Sequence, residues 1–197
     1  DLAFIAMDYV EGKSLDRCVS ETALLPIQEV YEIIIAVADA LAYAHQQNIV
    51  HRDIKPGNIM YDQNSGQVKV ADFGIARIVD DSKTKTGDML GSPVYMSPEQ
   101  LKGTRVSGAS DIYSLGVTFY QLLTGVLPFS GDSIANLAYQ ILNKKYVSVR
   151  ELRPELSAGV VRVVNKALQK EPSKRYHSAV EMADAVRSLL NRECRRD

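Results

Sequence analysis

Asp53, Lys55 and Asn58 lie within one six-residue stretch, and Asp72 follows Asn58 by fourteen positions. Two carboxylates, an ammonium and a neutral amide can together hold a divalent cation and a phosphate chain. Mg²⁺ takes oxygen ligands and relies on one or two carboxylates alongside substrate phosphates. Asp72 can supply one carboxylate from a short turn after a β-prone run. Asn58 can supply a carbonyl oxygen that adds no third negative charge. Asp53 can face an incoming hydroxyl rather than the metal, and Lys55 can meet a transferred phosphate as a point charge. Gly74 allows a sharp turn beside the metal. Phosphoryl transfer asks mainly for positioning and charge neutralisation, which these groups provide.

Each piece alone has a simpler reading. Asp-Phe-Gly at 72–74 is a common turn, Asp53 could cap a turn, and Asn58 could hold an Asx-turn. These readings must all hold at once, in order, with a hairpin signal between the two runs, and that favours the site. His51 reads as a packed, hydrogen-bonded core histidine rather than an acid or base.

The elements that position these groups follow from periodicity and punctuation. Leu2 to Tyr9 is a short apolar strand ended by Glu11-Gly12. Ser14 caps a short helix over Leu15–Val19. Pro26 opens a long helix, Ile27–Gln47, with Val30, Ile33, Ile34, Val37, Leu41 and Ala44 spaced by threes and fours. Ile49-Val50, Ile59-Met60-Tyr61 and Val68-Lys69-Val70 read as short strands. Asn64-Ser65-Gly66 suits a hairpin loop longer than two residues. Residues 77–99 form a long polar loop, a kind usually functional or mobile. Helices follow near 111–124, 132–142, 157–168 and 177–192. Gly125 and Pro128 stop the first, Pro154 lies before the third, and Pro172 closes the third. The expected class is α+β, mainly α, with short β-hairpins carrying the reactive loops.

Composition narrows the classes. Hydrophobic residues make up 46% and charged residues 24% of 197, enough for one domain with a core. The net charge of −1 calls for no nucleic-acid partner. Cys18 and Cys194 form no metal pattern and read as free thiols in a reducing compartment. No apolar run reaches the roughly 18 residues that span a bilayer.

Taken together, these runs resemble a eukaryotic-type (Hanks-type) Ser/Thr protein kinase of the bacterial kind. The resemblance covers essentially the whole chain but only the later part of a kinase domain. Gly91–Glu99 resembles the substrate-docking segment that ends the activation loop. Asp111–Gly116 resembles the start of the large buried helix, and Arg175 resembles the arginine that pairs with the glutamate of the Ala-Pro-Glu motif. Lys55 is the serine/threonine form of the loop. The resemblance implies ATP and Mg²⁺, with Asp53 orienting the substrate hydroxyl, Lys55 holding the transferred phosphate, and Asn58 and Asp72 binding the metal. It places Met7 at the gatekeeper position and Asp8 and Val10 at the adenine-contacting backbone. Met60 would lie beneath the ring, and Phe73 would stack on His51. Ser92 would sit near Asp53 and Lys55, and Glu99 and Arg175 would form a structural ion pair. Arg52 would pair with a phosphorylated loop residue, Thr84 or Thr86, with Ser82 behind them.

Two departures matter. Ser97 replaces the usual alanine before Pro98-Glu99. Ser14 and Gly57 align with positions where relatives that select substrate arginines carry carboxylates, so a strong arginine preference by that route is not expected. The glycine-rich phosphate loop, the strand lysine and its glutamate partner are absent from this chain. Residues 1–12 therefore read as the last amino-terminal-lobe strand and hinge, and 13–197 as the carboxy-terminal lobe. As it stands the chain should bind ATP weakly and transfer phosphate poorly. The implied partners are proteins with Ser or Thr acceptors, and the implied location is the cytoplasm. A membrane segment beyond the basic tail Arg192–Arg196 remains open, though that tail also reads as a solvated helix end. A different class, a pseudokinase or a module that self-associates through an exposed hinge strand, remains the alternative.

Overall fold

The computed structural model describes residues 12–73 and 93–193. Its described part is mainly helical with one small sheet, as the sequence predicts. Strand β1 (Lys13–Ser14) pairs antiparallel with β2 (Ile59–Asp62), which pairs antiparallel with β3 (Gln67–Val70). In β2 the side chains of Ile59 and Tyr61 are buried, while Met60 and Asp62 alternate to the half-buried face. The β2–β3 loop spans residues 63–66 and closes on Gly66, whose φ of 71° suits glycine.

Ser14 accepts the Asp16 N–H and caps a 3₁₀ turn, Leu15–Cys18, where an α-helix to Val19 is expected. Four residues are too few to repay α-helix nucleation, and the tighter turn is the usual outcome. Helix α1 (Ile27–Gln46) follows Pro26 and buries the predicted apolar stripe. Ile49 and Val50 are not a strand. The Ile49 N–H instead bonds back to Ala44 O, closing the end of α1.

Beyond residue 93, a 3₁₀ turn (Pro93–Tyr95) and a short helix α2 (Pro98–Leu101) occupy the end of the expected loop. Helix α3 (Gly108–Thr124) starts three residues before the expected 111. The Ser107 hydroxyl accepts the Ala109 N–H there, and the Ser110 hydroxyl accepts the Ser107 N–H. It ends at Gly125, whose φ of 79° is left-handed. Helix α4 is Ile134–Asn143, α5 Val149–Leu152, α6 Ala158–Ala167 and α7 Ala179–Glu193. Pro172 does not terminate α6, which already ends at Ala167, but opens a 3₁₀ turn through Lys174.

The core lies around α3, of which every residue from Ser110 to Thr124 is buried. Helices α1, α6 and α7 pack around it, and the hydroxyls of its buried Ser114, Thr118 and Thr124 each donate to the carbonyl four residues earlier. Tyr31 meets Phe119 edge-on with ring centroids 6.1 Å apart. Among the described residues, no helix is long and apolar enough to cross a membrane.

Candidate active site

The segment from His51 to Lys55 is irregular and is followed by one 3₁₀ turn, Pro56–Asn58, before β2, so contacts from outside must fix it. Asp111, fully buried in the first turn of α3, provides the fixing. Its Oδ2 accepts the His51 N–H at 2.9 Å and its Oδ1 accepts the Arg52 N–H at 2.8 Å. His45, from the last turn of α1, places Nε2 2.7 Å from Asp111 Oδ2. Hydrogen bonds to a carboxylate are the strong ones. They hold Arg52 at a φ of 69°, a conformation that non-glycine residues rarely adopt. From the other side, Gln100 Nε2 donates to Arg52 O at 2.9 Å, while its Oε1 accepts the Ser97 N–H at the start of α2.

On the fastened loop Asp53 is half-buried. Lys55 Nζ lies 2.7 Å from Asp53 Oδ2, and Asn58 Nδ2 donates to the same oxygen at 3.0 Å. Asn58 Nδ2 also donates to Asp53 O at 2.7 Å. Among the described residues, no donor other than those on Oδ2 reaches the Asp53 carboxylate. Because the Asn58 amide nitrogen is committed to Asp53, its carbonyl oxygen turns away from Asp53.

Asp72 reaches the same end of the sheet through the hairpin. The pairing Ile59↔Val70 is extended by the Ala71 N–H to Asn58 O bond at 2.8 Å. Asp72 therefore follows directly after the residue bonded to Asn58. It is exposed, with a φ of 62°. The Asn58 carbonyl and the Asp72 carboxylate are thus hard oxygen donors at one edge, a set that fits Mg²⁺ completed by phosphate oxygens and water. Among the described residues there is no cluster of three or more metal-ligating acids, histidines or cysteines that could hold an ion by itself.

His51 is fully buried, with Nε2 2.8 Å from Ala71 O. It packs in the core as expected. The Phe73 ring lies 4.7 Å from His51 between centroids, edge-on at 64° rather than face to face. An edge-on contact sets the positive rim of one ring toward the face of the other. Met60 sits half-buried on β2, opposite Ser14 and Lys69 and on the other side of the sheet from the core.

Glu99 and Arg175 form the expected pair, with Nη1–Oε1 and Nη2–Oε2 both 2.7 Å. Arg175 also donates to the carbonyls of Gln169, Ala109 and Lys170, so all five of its donors are used. Burial pushes the Glu99 carboxyl up, but hydrogen bonds from Arg175 and Ser110 outweigh it and hold it below the usual range. The pair ties α2, and through Gln100 the reactive loop, to the turn after α6.

The structure thus brings together Asp53, Lys55, Asn58, Asp72, His51, Phe73, Arg52 and Asp111. Met7, Asp8, Val10, Gly74, Ser82, Thr84, Thr86, Ser92 and Cys194 lie outside the described residues. Sequence reasoning missed His45 and Gln100. The Ser97-x-x-Gln100 spacing is a capping-box signal that could have marked the start of α2. His45 carries no comparable mark, since its partner lies 66 positions away.

Comparison with known proteins follows the same lines. The family model described as protein kinase domain matches residues 1–187. The serine/threonine-protein kinase PknB of Mycobacterium leprae is 42% identical over 189 residues, 94% of this chain and 30% of the relative. The serine/threonine-protein kinase PrkC of Bacillus subtilis is 38% identical over 192 residues, 97% of this chain and 30% of the relative. The chain therefore spans less than a third of the length of these curated relatives. Among solved structures, a crystal structure of Rad53 1–466 in complex with AMP-PNP matches with a TM-score of 0.76 and 28% identity. That match covers 91% of this chain and 45% of the other.

Proposed function

Because the chain belongs to the protein kinase domain family, we propose that it is the acceptor- and metal-holding part of a Ser/Thr protein kinase using ATP. The observation that carries this is Asp53, whose Oδ2 is held by Lys55 and Asn58 while Oδ1 receives no donor among the described residues. The names of the relatives, and an ATP analogue in a solved structural relative, support the same reading.

The acceptor hydroxyl donates its hydrogen bond to Asp53 Oδ1, which orients the oxygen and takes its proton as the oxygen bonds to the γ-phosphorus. The bond from the γ-phosphorus to the β–γ bridging oxygen breaks, and ADP leaves with that oxygen. Lys55, tethered to the other carboxylate oxygen, places its positive charge where negative charge gathers on the transferred group. Mg²⁺, when bound, supplies charge neutralisation to the phosphate oxygens. Asn58 and Asp72 are the residues here that would hold it. Arg52, held by Asp111 and Gln100, is the cation for a phosphorylated Thr84 or Thr86. The division into hinge (1–12) and carboxy-terminal lobe (13–197), and the cytoplasmic location, belong to the same proposal.

The full-length protein, incubated with γ-labelled ATP and Mg²⁺, should transfer label to Ser and Thr peptides but not to the matched Tyr peptide. Label on Tyr alone, or on no peptide and no residue of the protein itself, overturns the proposal.

A further inference from the structure

The peptide plane that joins Arg52 to Asp53 is held at both of its polar ends. Its carbonyl, Arg52 O, accepts Gln100 Nε2 at 2.9 Å, and its N–H, on Asp53, donates to His51 Nδ1 at 3.3 Å. His51 is suited to this because its other nitrogen, Nε2, faces a carbonyl, Ala71 O, at 2.8 Å, which leaves the lone pair on Nδ1. A peptide unit is rigid and planar, so fixing its two ends fixes the direction in which Asp53 leaves it. Arg52 stands at a φ of 69°, a strained value that persists only while its surroundings over-determine it.

Gln100 comes to Arg52 already oriented. Its Oε1 accepts both the Ser97 N–H and the Ser97 hydroxyl, each at 3.0 Å. The Ser97 oxygen accepts the Gln100 N–H at 3.4 Å in return, and Ser97 is fully buried. With a backbone donor on one side and a backbone carbonyl on the other, the amide fits in one sense only: Oε1 toward Ser97, Nε2 toward Arg52. An alanine at 97 would keep the N–H and lose the hydroxyl, so the serine found there completes the brace. Glu99, between the two on α2, is pinned to Arg175. The carbonyl before Asp53 is therefore held from a fixed point outside the loop.

We propose that Gln100 is a positioning residue for phosphoryl transfer: its amide N–H, braced by Ser97, sets the Arg52–Asp53 peptide so that the Asp53 carboxylate meets the acceptor hydroxyl. This goes beyond the kinase reading above and rests on it. Gln100 acts through the Arg52 carbonyl and not on the reacting atoms. Its leverage comes from geometry, since a misplacement of about 1 Å at a reacting group can cost about a hundredfold in rate.

Q100E separates this role from the folding of α2. Its carboxylate still accepts the Ser97 N–H and hydroxyl, but it sets a second oxygen against Arg52 O where a donor is needed. Q100M has nearly the shape of glutamine and makes neither bond. In the full-length protein, with a Ser/Thr peptide as substrate, kcat should fall by about 10- to 100-fold in both variants while the KM values for ATP and peptide change little. Toward acid pH the Q100E carboxyl gains a proton and can again donate to Arg52 O. Its kcat relative to wild type should then rise, while that of Q100M stays flat. Urea unfolding establishes which variants are folded, and Q100M decides if Q100E is not. Should neither fold, S97A takes their place, since it removes only the hydroxyl brace and should lower kcat by a smaller factor. Wild-type kcat in the deciding variant, or a Q100E ratio that does not change with pH, overturns this inference and leaves the proposed function standing. If the wild type transfers no phosphate to any Ser or Thr peptide, the proposed function falls and this inference with it.

Discussion

Asp111 accepts the Arg52 N–H at 2.8 Å across 59 positions of chain, and in doing so fixes the residue next to Asp53. The contact couples the buried helix α3 to the reactive loop. Asp111→Ala leaves the N–H groups of His51 and Arg52 without their acceptor, each at about 1–3 kcal/mol. It also frees Arg52 from its left-handed backbone. Urea unfolding should show a lower midpoint, and phosphoryl transfer should fall by more than the loss of folded protein explains. Asp111→Asn keeps one acceptor oxygen and should be milder on both measures.

Breaking the Glu99–Arg175 pair from either side should cost about 3–5 kcal/mol, because the remaining charge stays buried without its partner. Removing both should not restore stability, since Arg175 also satisfies three backbone carbonyls. Arg175→Lys should resemble Arg175→Met more than wild type, because an ammonium cannot match a five-donor fork. Since the Glu99 carboxyl is held low, its contribution is present above the ordinary carboxylate range and is lost as pH falls through the depressed value. Denaturant midpoints between neutral and acid pH, compared with Glu99→Gln, measure it.

Much of this was legible in the sequence. The stripe Val30–Ala44 predicted α1 to within one residue, and Asn64–Gly66 marked the hairpin that carries Asp72 to Asn58. What escaped had little local signature. Strand β1 is two residues long and exists because β2 lies beside it. Ile49-Val50 has strand composition but no neighbouring strand to pair with among the described residues. Helices α2 and α5 were missed although Ser97-x-x-Gln100 and Ser148-x-x-Glu151 are both capping boxes. Long-range contacts such as His45 with Asp111, and Gln100 with Arg52, are set by tertiary packing. No spacing rule reaches them.

Lys170 offers a pH signature. Its ammonium lies 3.9 Å above the Phe129 ring and donates to Ile141 O. Burial, and then the Arg175 charge, lower it to about 8. Between that value and the unfolded lysine's higher one, the unfolded chain binds more protons, so stability rises with pH. From pH 8 to 10 the wild type should gain stability relative to Lys170→Met, as read by denaturant midpoints. A flat difference would place the ammonium in solvent instead.

Metal dependence should follow the two oxygen donors. In the full-length protein, chelation by EDTA should abolish transfer. Asp72→Asn should raise the Mg²⁺ concentration for half-maximal rate by at least about tenfold, as even supporting residues do at metal sites. Asn58→Ala should do the same and also loosen Asp53, which loses two hydrogen bonds from the Asn58 amide. A Mg²⁺ titration of each variant at saturating ATP separates the two effects.

The central claim is that Asp53, steadied by Lys55 and Asn58, handles the acceptor proton. Its most direct test is single-turnover phosphoryl transfer by the full-length Asp53→Asn protein, with ATP and Mg²⁺ saturating and ATP binding measured in parallel. The account predicts a rate lower by ~10²–10⁴-fold with ATP affinity little changed. A variant that binds ATP normally and transfers phosphate at close to the wild-type rate would contradict it.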